Sequence, residues 1–79
     1  MKVTGESRFI SVKTGQKNGK DWYAIKFQDE DADEYFTAFV DKSLYTELQG
    51  VPKKTGVFLT LNITPGQKFF SVDSIEVLD

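Results

Sequence analysis

Asp41-Lys42-Ser43-Leu44-Tyr45-Thr46-Glu47-Leu48-Gln49-Gly50-Val51-Pro52 interrupts a chain that otherwise reads as strands. Leu44, Tyr45 and Leu48 fall on one face of a helix, since neighbours on that face recur three to four residues apart. Asp41 or Ser43 can cap its start, because a short oxygen side chain accepts from the orphan N–H groups of the first turn. Gly50 supplies the stop and Pro52 forbids continuation. The stretch therefore predicts one short helix.

Working outward from it, residues 2–13, residues 20–28 and Tyr35–Val40 are rich in β-branched and aromatic residues and alternate loosely, as strands do. A basic loop, Thr14–Asn18, joins the first two, and Asn18-Gly19 is a strong turn signal. An acidic turn reverses the second into the third. Beyond the helix, Val57–Ile63 and Lys68–Leu78 form two more strands. Thr64-Pro65-Gly66-Gln67 joins them, with proline fixing φ and glycine permitting a positive one. The order is strand, strand, strand, short helix, strand, strand. That predicts an all-β fold, a small β-barrel with one short helix, and more specifically the five-stranded Greek-key barrel called the OB-fold. An SH3-like barrel is the competing architecture, but it usually carries a 3₁₀ turn where this chain has a helix. Gly5 lies inside the first strand, where a glycine commonly marks a bend. A bend there would let that strand join both halves of the barrel.

The 79 residues make one domain, residues 1–79, with 39% apolar and 14% aromatic residues, enough to fold. So small a domain buries only about 60% of its unfolded surface, so a second subunit, as in a homodimer, is a natural supplement. There is no cysteine, which excludes disulfides and thiolate metal sites. No apolar run approaches a membrane span and the N-terminus has no signal-peptide pattern, so the expected location is the cytoplasm. With neither histidine nor cysteine and no phosphate-binding glycine loop, the chain does not read as an enzyme, and no cofactor or metal is expected. Asp29, Asp31, Asp33 and Glu34 have the acid density of a calcium loop. They lack its central glycine and distal glutamate, and read as a solvated tip.

The second strand carries the functional signal. Tyr23, Ile25 and Phe27 face one way and read as core. Trp22, Ala24 and Lys26 face the other, next to a loop holding Lys13, Lys17 and Lys20. A lone tryptophan in a small domain is commonly a core anchor, but this alternation argues for the outer face. An aromatic platform beside ammonium groups suits single-stranded nucleic acid, whose bases stack on rings while phosphates meet cations. Tyr35 and Phe39 of the third strand join that face if Phe36, Ala38 and Val40 point inward. Phe69, with Lys68, lies outward at the ligand groove if Phe70 and Val72 point inward; otherwise Phe69 caps a barrel end or packs in a dimer contact. Arg8, opposite in facing to Phe9, either reaches the backbone of a bound strand or pairs with Glu6 or Glu76.

The formal net charge of −2 is unusual for such a function. Five of the twelve acids sit within Asp29–Glu34, leaving seven against ten cations elsewhere. Screening over about 8 Å at physiological salt would isolate that tip if it lies far enough from the lysines.

Asn18-Gly19-Lys20-Asp21-Trp22, the Glu34-Tyr35 start of the third strand and Pro65-Gly66-Gln67 before a phenylalanine resemble the filamentous-phage gene V family of single-stranded DNA-binding proteins. The resemblance implies a homodimeric OB-type barrel that binds single-stranded DNA with little sequence preference during phage or plasmid replication. It implies stacking on Trp22 and phosphate contacts from Lys20, Lys26, Arg8 and Lys68. The chain departs from that family in having one arginine and an acidic balance where the family's groove is more basic. Glu76-Val77-Leu78-Asp79 reads as a strand end, without the acidic recruitment tail of cellular-type single-stranded DNA-binding proteins. The rival reading is an OB-like adaptor for protein partners, or a host-factor inhibitor, that uses the same aromatics as an interface core.

Overall fold

The computed structural model describes residues 1–66 and 70–78. Its elements run β1 (Lys2–Lys17), β2 (Lys20–Asp29), β3 (Glu34–Val40), α1 (Lys42–Leu48), β4 (Gly56–Asn62) and β5 (Phe70–Val77). The strands close into a barrel in the order β1-β2-β3-β5-β4. All neighbouring pairs are antiparallel except β3 and β5, which meet in parallel at Ala38–Phe70 and Phe39–Ser71. Closure removes the open sheet edges that would otherwise template aggregation.

Period-two alternation explains the core. Ile25 and Phe27 of β2 are fully buried beside Phe9, Ala38, Val57 and Leu59, with Leu48 of the helix covering the cluster. The rings of Phe27 and Phe36 lie 5.4 Å apart at 31°. Each fully buried side chain of this size contributes about 1.5–3 kcal/mol by leaving water. Tyr23, the remaining inward residue of β2, is half-buried against Tyr45 of α1, ring centres 4.8 Å apart. Phe36, Ala38 and Val40 of β3 all pack on the core side, as the alternation predicts.

Three local expectations are corrected. First, Thr14–Asn18 is not a loop. β1 continues to Lys17, and a register running from Gly15–Trp22 to Lys17–Lys20 builds a hairpin arm. Asn18 (φ 54°) and Gly19 (φ 77°) both take left-handed backbone at its tip, as the two-residue hairpin turn matched to strand twist requires. Second, Gly5 is not the bend: it pairs in register with Leu59, and the irregularity in β1 falls between Phe9 and Ser11. The extra residue there, Ile10, lets β1 leave β4 for β2. Third, Gly50 does not end the helix through a left-handed conformation. Gln49 caps the last turn in ordinary right-handed geometry, and Val51 N–H donates to the Leu48 carbonyl at 3.2 Å. At the other end Asp41, not Ser43, is the cap, its carboxylate accepting from Leu44 N–H at 2.9 Å.

Candidate functional site

The outer face of β1, β2 and β3 presents three parallel rows. Ser11, Lys13, Gly15 and Lys17 lie on β1, opposite Lys26, Ala24, Trp22 and Lys20 of β2. Across β2, Ala24 pairs with Phe39 and Lys26 with Thr37, and Tyr35 completes the β3 row. Trp22, Phe39, Tyr35, Lys13, Lys17, Lys20 and Lys26 are therefore brought to one face.

The centre of that face is an open groove of about 660 Å³. Trp22 and Phe39 form its aromatic walls, their ring centres 6.1 Å apart and their planes at 87°. This edge-to-face arrangement suits the quadrupoles of the two rings. Ala24 lies between them on the lining of the groove; it is only 1% exposed yet takes no part in the core cluster. Lys13, Lys17 and Lys20 line the rim with Asn18, Asp21 and Thr37. Farther along, Tyr35 is 55% exposed with the Lys26 ammonium 5.0 Å from its ring centre.

Charge on this face is unbalanced. Among the described residues the ion pairs are Lys2–Asp73 and Arg8–Glu30, neither of which involves Lys13, Lys17, Lys20 or Lys26. The acid at the rim, Asp21, accepts from the Gln16 amide at 2.9 Å. The acidic turn is remote from Trp22, which stands seven positions along β2 from Asp29, roughly 23 Å at about 3.3 Å per residue. That is more than two Debye lengths of about 8 Å. Lys26 and Tyr35, by contrast, stand at the acidic end of the face, Tyr35 next to Glu34.

The acids of that turn serve it locally. Asp29 accepts from the backbone N–H groups of Asp31 (3.1 Å) and Ala32 (3.4 Å). Among the described residues no group of three or more acids, histidines or cysteines converges on a metal position.

Arg8 is placed differently from expectation. It pairs with neither Glu6 nor Glu76: its Nε donates to Glu30 at 2.7 Å and its guanidinium to the Lys54 carbonyl at 3.3 Å. It lies at the acidic end of the sheet face, away from the Trp22 groove. Lys68 and Phe69 lie outside the described residues.

Sequence reasoning missed Asn18, Asp21, Ala24 and Thr37 as parts of the groove, and Gly15 as the residue across from Trp22. Ala24 and Thr37 carried a signal, since each is the small residue between two larger ones in an outward row. Gly15 carried none, because a glycine in a basic polar segment reads as loop.

Neither family models nor curated proteins give a match to this chain. Among the described residues no helix is long and apolar enough to cross a membrane.

Proposed function

We propose that this chain is an OB-type barrel that binds single-stranded DNA with little sequence preference. Bases stack on Trp22, Phe39 and Tyr35 while Lys13, Lys17, Lys20 and Lys26 meet phosphates. One observation carries the reading: three aromatic rings and four lysines with no ion pair among the described residues share the outer face of β1–β3. Base–aromatic stacking is worth about 1–3 kcal/mol per base, so a few rings give useful affinity even with few cations. The strand order and the helix between β3 and β4 support the OB assignment, since ligands of that fold lie across its second and third strands. The resemblance to the gene V family supports a homodimer acting in phage or plasmid DNA replication, with no catalytic step.

Intrinsic fluorescence during titration with oligo-dT tests the reading. Trp22 is the only tryptophan, so the signal has a single source. Quenching at low salt that reverses at moderate salt is expected. A folded protein whose emission ignores oligo-dT at low salt excludes this function. It leaves the apolar groove as a contact for a protein partner, which would survive salt that strips DNA.

A further inference from the structure

Gly15 lies directly across the hairpin arm from Trp22. A methyl group built on Gly15 would stand 2.7 Å from Trp22 Cζ2, 2.8 Å from Cε2 and 3.0 Å from Nε1. These distances place the methyl above the Nε1–Cε2–Cζ2 edge of the indole, so that edge packs against Gly15 with no room for a β-carbon. The conformation of Gly15 does not itself call for glycine, since only Gly19 and Gly66 among the glycines have positive φ. Glycine inside a strand weakens it, and close approach of another group is the usual reason for its presence. The same cross-strand step is held by a second contact, Thr14 Oγ1 donating to the Trp22 carbonyl at 2.9 Å.

We propose that Gly15 is the positioning residue that fixes Trp22 as a stacking platform for a base of a single strand. This inference rests on the stacking function proposed above. Holding the ring in place before binding removes the cost of ordering it afterwards, which is how rigid sites gain affinity.

The test is a double-mutant cycle in which labelled oligo-dT anisotropy reads affinity. Gly15→Ala is expected to weaken binding about tenfold, the scale of one stacking contact, and to make Trp22 more accessible to a soluble quencher. In a Trp22→Phe background the smaller ring lacks Cζ2 and Nε1, so adding Gly15→Ala should cost less than about twofold, since removing the contact removes the coupling. Gly5→Ala is the control, because a methyl there meets nothing within 4 Å. Native affinity in Gly15→Ala, or an equal loss in both backgrounds, overturns the positioning role while leaving the stacking function standing. Undiminished binding by Trp22→Ala overturns both.

Discussion

The Lys26 ammonium sits 5.0 Å from the centre of the Tyr35 ring, one strand over on the same outer face. An exposed cation–π contact of this kind is worth about 0.5–1 kcal/mol, weak enough for a ligand to exchange. On the proposed function, a base arriving on Tyr35 would displace the ammonium from the ring, and a phosphate of the same strand would then receive it. Lys26→Gln should therefore lower affinity and reduce the slope of log K against log salt by about 1, the signature of one lost phosphate contact. An unchanged slope in salt titrations would confine Lys26 to its aromatic neighbour.

Trp22 and Phe27 stand on opposite faces of β2, and their truncations should separate function from folding. Trp22→Ala removes a half-buried ring outside the core and should weaken oligo-dT binding at least tenfold, about 1.4 kcal/mol, with little change in urea midpoint. Phe27→Ala removes a fully buried ring from the barrel centre and should cost about 3–5 kcal/mol of stability. A Trp22→Ala protein that melts far lower, while its folded fraction binds normally, would make that ring structural.

The hairpin tip gives a third prediction. Gly19 has φ 77°, a region where a side chain costs about 1–2 kcal/mol. Gly19→Ala should open the turn and disturb the register that holds Lys17 opposite Lys20. Thermal melting and oligo-dT titration at fixed salt should both show the loss, a few degrees in Tm and several-fold in affinity. Wild-type affinity with a lowered Tm would show that the arm's register does not matter to the ligand.

The barrel was legible wherever a strand has a wet side and a dry one. Tyr23, Ile25 and Phe27 alternate with Trp22, Ala24 and Lys26 because the sheet between them separates core from solvent, and Phe36, Ala38 and Val40 follow the same logic. The arm was not legible for the converse reason. Thr14–Lys17 extends beyond the core, its side chains are exposed, and no apolar alternation is left to mark it as strand. The position of the bend was obscured in another way. Gly5 advertised a flexible backbone, but the irregularity lies between Phe9 and Ser11, where two adjacent apolar residues, Phe9 and Ile10, break the alternation. That signal was present in the sequence and outweighed by the glycine. The groove was half legible: its rings and cations stand out by type, whereas Gly15 and Ala24 matter by being small, and small residues announce nothing until their neighbours are known.

Arg8 differs from the groove lysines in that the fold itself engages its side chain. Its guanidinium bridges Glu30 and the Lys54 carbonyl, tying the acidic turn to the segment that follows the helix. The Arg8 side chain is 38% exposed and that of Glu30 56%, so solvent screens the pair and its worth is at most about 1 kcal/mol. Lys13, by contrast, has no ion pair among the described residues and lines the groove. Arg8→Ala should therefore leave oligo-dT affinity within about twofold and the salt slope unchanged, whereas Lys13→Ala should flatten the slope by about 1. Parallel salt titrations of the two variants decide the matter. A flattened slope for Arg8→Ala would mean that DNA competes with Glu30 for the guanidinium and that the bound strand runs the full length of the sheet face, past Tyr35 to the acidic turn.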